Sequence, residues 1–156
     1  MEKEINYYRQ CREDITPKPS REAAAALIGN GMTEDILEKI ENGSRNPRPE
    51  EVLDMAKAYK HPELCNYYCT HECAIGKRDI SPIDAKKNIA TITLEILSAM
   101  NYLDDQKNRL VDITQDEHLT EDEYEDMKKI RDRLKKMAGS IANLQLWVDQ
   151  QLEQEN

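Results

Sequence analysis

The chain has 156 residues, with 22 Lys and Arg against 31 Asp and Glu and a formal net charge of −9. Charged residues make up 34% and aromatics 5%, with one Trp and no Phe, a mixture that favours helices over sheets. The acidic balance excludes a protein held on nucleic acid by its overall field. No apolar run approaches the ~20 residues of a membrane span, and the polar start MEKEINYYRQCRED reads as neither a signal nor a transit peptide. A cytoplasmic protein is the expectation, with its four Cys as reduced thiols or metal ligands.

The helix breakers divide the chain. Four of the five Gly lie between Gly29 and Gly76, and five of the six Pro between Pro17 and Pro62. Residues 1–78 therefore read as a domain of short helices joined by tight turns, and residues 82–156 as long helices. Residues 5–14 form the first helix, with Ile5, Tyr8 and Cys11 at steps of three. Ser20 caps a second, REAAAALI, which ends at Gly29. Asn30 and Gly31 turn the chain. Thr33 caps a third, EDILEKIE, with Ile36, Leu37 and Ile40 on its inner face, and Asn42-Gly43 ends it. The prolines keep residues 45–49 extended. A fourth helix over residues 50–59 turns Val52, Leu53 and Ala56 inward.

A helix, a turn and a second helix with small residues where the two meet is the arrangement of a DNA-reading helix-turn-helix. Ser20-Arg21-Glu22, Ala25, Ile28-Gly29, Thr33 and the run Ile40-Glu41-Asn42-Gly43-Ser44-Arg45-Asn46-Pro47, followed by an amphipathic helix over residues 52–59, resemble one family. It is the Xre/Cro-type helix-turn-helix of phage repressors and bacterial regulators, whose fold is lambda-repressor-like. The resemblance covers about residues 5–60. It implies sequence-specific binding of double-stranded DNA and transcriptional regulation, with Ser20, Arg21, Thr33, Glu34, Asp35, Glu38, Lys39, Arg45 and Arg48 facing the duplex. It also implies a structural pair of Glu41 with an Arg of the first helix, here Arg12.

Three features depart from the family pattern. The turn carries two extra residues, Asn30-Gly31. Arg21 stands where Gln is usual, although Arg can hold a phosphate or read guanine. The face that the resemblance places in the major groove carries Glu34, Asp35 and Glu38, carboxylates that repel phosphates. The alternative is thus a helix-turn-helix scaffold that binds a protein partner and no longer touches DNA.

Residues 61–76, HPELCNYYCTHECAIG, space Cys65, Cys69 and Cys73 four apart, which on one helix stacks three thiols on a face. Three readings stay open. The thiols can be small buried side chains packed with Tyr67, Tyr68 and Ile75. They can ligate zinc or an iron–sulfur cluster, with His71, His61 or Cys11 completing the set. They can also form a redox switch, which would need an exposed thiol of low pKa. The first of these leaves the protein without a cofactor.

The second half alternates threes and fours. Ala85, Ile89, Ile92, Ile96, Ala99, Leu103, Leu110 and Ile113, with Gln106 between, mark one seam; Met127, Ile130, Leu134, Met137, Ile141, Leu144, Val148 and Leu152 mark another. Ser81-Pro82 reads as the start of the first helix. The polar residues 114–118 read as the link, and Thr120 with Glu123 as a capping box that opens the second helix. The result is a long antiparallel, coiled-coil-like hairpin. Leu94, Leu97, Met100, Tyr102, Leu146 and Trp147 flank the seams, too wide a stripe for one hairpin to cover. A homodimer through the hairpins is expected. The fold class is therefore all-α. There is no phosphate-cradling glycine loop, no HExxH and no GxSxG, and His118 sits among acids in the link, so an enzyme is not expected.

Overall fold

The structure, a computed structural model, describes residues 6–115 and 119–154. Those residues form eight helices and no strand: α1 (Tyr7–Glu13), α2 (Arg21–Ile28), α3 (Glu34–Glu41), α4 (Pro49–Tyr59), α5 (Glu63–His71), α6 (Ala74–Asp79), α7 (Ile89–Gln115) and α8 (Glu121–Gln154). They divide into two compact units, residues 1–80 and 81–156. Ile5 and His118 lie outside the described residues.

In the first unit, side-chain caps start the short helices. The Asn6 carboxamide oxygen accepts from the Tyr8 and Arg9 amides, Ser20 from Ala23, and Thr33 from Ile36. Gly43 takes a positive φ of 77° just past the Asn42 cap of α3, a conformation open to Gly at little cost. Around this frame Tyr8, Cys11, Ala24, Ile28, Leu37, Ile40, Val52, Met55, Ala56, Tyr59 and Leu64 form one core. α2 packs on α3 and α4, α1 on α3, and α5 on α4 and α6. Burying side chains such as Leu37 and Met55 contributes about 1.5–3 kcal/mol each.

Sequence expectations fail here at three places. Leu53 is 60% exposed, because the inner stripe of α4 runs Val52, Met55, Ala56, Tyr59 and Leu53 lies about 100° away from Val52 around the helix. Ile75 is also exposed, since α6 approaches α5 through Gly76. The three thiols do not share a helix: α5 ends at His71, and Cys73 caps α6, its Sγ accepting from the Gly76 amide at 3.4 Å.

In the second unit α7 and α8 run antiparallel, with Arg109 bonded to Asp126 at 3.0 Å and Ser140 to Glu95 at 2.8 Å. Ile92, Ala99, Ile113 and Ile130 are its most buried apolar residues. The Thr120–Glu123 capping box opens α8. α7 begins seven residues later than Pro82, at Ile89. Asp84 accepts from the Lys86 amide and Asn88 from the Thr91 amide, so local side-chain bonds hold residues 81–88 out of the helix. Ala85 is consequently exposed and is no seam residue.

Residues 81–88 instead form a strap along α8. The Ser81 hydroxyl donates to the Lys135 carbonyl at 2.9 Å, and the Asp84 amide to Asn143 Oδ1 at 3.0 Å. The carbonyl oxygen of Pro82 passes over Gly139, where an added Cβ would lie only 3.2 Å from it. The inner side of α8 thus holds Gly139, Ser140 and Asn143 as well as Ile130, while Leu134, Ile141, Val148 and Leu152 of the expected seam are exposed. On α7, Leu94, Leu97 and Met100 are exposed too. Replacing Asn143 with Ala orphans the Asp84 amide and is expected to lower the stability of the hairpin by about 1–2 kcal/mol. Urea unfolding followed by the fluorescence of Trp147, the one Trp of the chain, reads this unit directly; an unchanged midpoint would show that the strap adds nothing.

Candidate functional site

The exposed side of α2 and α3 is built on a buried charge network. Arg12 reaches Glu41 through two hydrogen bonds, Nε to Oε1 at 2.5 Å and Nη2 to Oε2 at 2.9 Å, and its Nη1 donates to the Pro19 carbonyl at 2.9 Å. The Glu41 side chain is wholly buried and that of Arg12 is 5% exposed. Arg21 adds a third bond, Nε to Glu41 Oε2 at 2.9 Å. Hydrogen bonding to Glu41 raises the pKa of Arg12 and outweighs burial, so the guanidinium stays charged. One carboxylate therefore joins α1, α2 and α3 behind the outer surface.

The turn before α3 holds three successive residues at positive φ: Gly29 at 70°, Asn30 at 48° and Gly31 at 82°. The Met32 amide closes it on the Gly29 carbonyl at 2.9 Å. Asn is the residue other than Gly that best tolerates this region. Asn30 and Gly31 are thus accommodated in a tight left-handed turn, and α3 opens on the exposed Thr33.

Ser20, Thr33, Glu34, Asp35, Glu38, Lys39 and Arg48 are exposed, while Arg21 and Arg45 are half-buried. Each of the four cations has a carboxylate partner. Arg21 holds Glu41 and stands 3.8 Å from Glu38; Lys39 pairs with Asp35 at 2.7 Å. Arg45 forks onto Glu51 at 2.7 and 2.9 Å, and Arg48 reaches the same Glu51 at 3.3 Å. Burial pushes the Glu51 carboxyl up, but the bonds from Arg45 and the Arg48 amide outweigh it and hold the carboxyl below its ordinary range. Arg21 and Arg45, which the resemblance expects to face the duplex, are each ion-paired within the domain.

The cysteine segment separates rather than gathers. Cys65, Cys69 and Cys73 are half-buried, and burial pushes the Cys65 thiol up, with Cys69 adding to it. His71 stacks on Tyr67 with ring centroids 4.2 Å apart. These four do not converge on a common point. Among the described residues, the group of three potential ligand atoms that does converge is Cys11, His61 and Glu63. Comparison with protein families, with curated proteins and with solved structures yields no match. Cys11 and His61 were candidates only as additions to Cys65, Cys69 and Cys73, and Glu63 was not singled out, because Cys11 is remote in sequence from His61 and Glu63. The traces of the grouping were a Cys on the apolar face of α1 and a His-Pro-Glu turn.

Proposed function

We propose that the first unit is an Xre/Cro-type helix-turn-helix domain and that the protein is a sequence-specific, dimeric DNA-binding regulator. The observation that carries this reading is the construction of α3. Its back is buried through Leu37, Ile40 and Glu41 and tied to α1 and α2, while Thr33, Glu34, Asp35, Glu38 and Lys39 stand exposed on its other side. A helix so braced presents Thr33, Glu34, Glu38 and Lys39 to a groove as a fixed set, and Ser20 and the α2 N-terminus to a phosphate. The exposed pairs Lys39–Asp35 and Arg48–Glu51 are worth about 0–1 kcal/mol each, so phosphates can take over these cations with little loss. The exposed apolar rows Leu94, Leu97, Met100 and Leu134, Ile141, Val148 support pairing of two hairpins, which sets two half-sites about one helical turn apart.

A second reading rests on the same surface. Glu34, Asp35 and Glu38 outnumber Lys39 on the exposed side of α3, and this favours a basic protein partner over a phosphate backbone. One selection of genomic fragments by the purified protein, at low and physiological salt, separates the two. Recovery of a palindrome that survives physiological salt supports the regulator, and Lys39→Ala with Arg48→Ala, which removes the exposed cations, then weakens its capture. Glu34→Gln with Glu38→Gln is expected to strengthen non-specific DNA binding about tenfold at low salt. Salt-sensitive random fragments alone, with no palindrome, would favour the protein partner.

A further inference from the structure

α1 and the junction of α4 with α5 bring three different metal-ligating groups to one point. Cys11 Sγ, a ring nitrogen of His61 and a carboxylate oxygen of Glu63 lie within 4.8 Å of one another. Two of them come from one turn. Lys60 ends α4 in the left-handed conformation, Pro62 follows at the cap of α5, and His61 and Glu63 emerge together, with His61 Nδ1 2.7 Å from Glu63 Oε1. The third comes from the face of α1 that Tyr8 and Cys11 fix in the core. Cys11 is 2% exposed, and the side chains of His61 and Glu63 are 24% and 11% exposed.

Cys11 Sγ is buried in the core, with the His61 ring and the Glu63 carboxylate converging on it. A divalent cation bound there replaces the thiol proton, which leaves to solvent, and its charge is shared by the thiolate and the carboxylate.

We propose that Cys11, His61 and Glu63 form a binding site for a divalent transition-metal ion of zinc's class, with a fourth position open to water. Thiolate, imidazole and carboxylate together suit zinc and its neighbours, whereas calcium and magnesium take oxygen ligands. Bonds of about 2.0–2.3 Å place tetrahedral ligand atoms about 3.3–3.7 Å apart. The three atoms stand within 4.8 Å of one another, so the widest pair has to close by up to about 1 Å. Nδ1 and Oε1 need only open by about 0.6 Å, exchanging one hydrogen bond for two bonds to the ion. The ion would clamp α1 to the start of α5 and stabilise the first unit by mass action.

The test is a titration of the chelator-treated full chain with cobalt(II), excluding oxygen. The expected result is a thiolate-to-cobalt charge-transfer band with tetrahedral visible bands, saturating at one ion per chain and abolished by added zinc. His61→Asn, on a partly exposed turn, should weaken binding by more than about tenfold with helix content unchanged. The Cys65→Ser, Cys69→Ser, Cys73→Ser triple variant should bind as the parent does. Cys11→Ala should lose the charge-transfer band; as Cys11 is a core residue, His61→Asn decides if that variant fails to fold. No charge-transfer band in the parent at millimolar cobalt, an undiminished band in His61→Asn, or its loss from the triple variant would each overturn the site.

Discussion

Replacing Glu41 with Ala is expected to destabilise the first unit by about 3–5 kcal/mol, the largest single effect in the molecule. The substitution removes a carboxylate that is wholly buried and accepts from two guanidinium groups. Arg12, 5% exposed, is left with the Pro19 carbonyl as its remaining hydrogen-bonded partner besides the outlying Glu13 at 3.7 Å. A buried charge without a close counter-charge is the severe case, and the magnitude comes from that orphaned cation rather than from the worth of the pair. The double variant Arg12→Met with Glu41→Leu should therefore recover most of the loss, since two apolar groups need no compensation. Denaturant unfolding followed by near-ultraviolet tyrosine dichroism reads the first unit, which holds five of the seven Tyr, and Trp147 serves as the unaffected control. A Glu41→Ala loss below about 1 kcal/mol would show that the network is solvated and dispensable.

Gly76→Ala is the second. A Cβ on Gly76 would stand 2.2 Å from the carbonyl oxygen of Cys69 and 2.9 Å from its Cα. The obstacle is backbone, so no rotamer relieves it, and α6 must move from α5. The expected cost is about 1–3 kcal/mol, as for other forced insertions into close packing. α6 has little else with which to hold its place, because Ile75 is exposed and its N-cap is the weak acceptor Cys73 Sγ. Movement there also strains Glu72, the C-cap of α5, which accepts from the buried Tyr8 hydroxyl at 2.8 Å. Hydrogen exchange should show α6 unprotected and α5 weakened, with α7 and α8 unchanged. Full protection of α6 in the variant would contradict the close approach.

What could be read beforehand was what local chemistry decides. Ser20, Thr33 and Thr120 cap helices because a hydroxyl can reach an orphan amide two or three residues on, whatever surrounds it. Gly43 ends α3 because a left-handed residue is needed there. Failures came where a distant segment chose between equal local options. Leu53 and Met55 are both apolar and both helical, and only the seat of α4 on α2 and α5 decides which is buried. The seam of α8 holds at Ile130 and, half-buried, at Met127, Met137 and Leu144, but Leu134, Ile141, Val148 and Leu152 are exposed, because the strap, invisible in a pattern of threes and fours, claims Gly139 and Asn143. Pro82 resembled a helix start, but the Asx bonds of Asp84 and Asn88 delay it to Ile89. Of the surface on α2 and α3, the positions were legible and their engagement was not. That Arg21 and Arg45 are tied inward depends on where Glu41 and Glu51 come to rest.

The Arg12–Glu41–Arg21 network also bears on how the first unit opens. α1 has seven residues and α2 and α3 eight each, all too short to persist alone in water. Withdrawing α3 takes Glu41 away and leaves the buried Arg12 without its counter-charge, withdrawing α1 leaves Glu41 with Arg21 alone, and withdrawing α2 removes the third bond. Fraying of a single helix is thereby disfavoured relative to concerted opening, and the three should behave as one foldon, their slowest amides exchanging with a common free energy despite the loops between them.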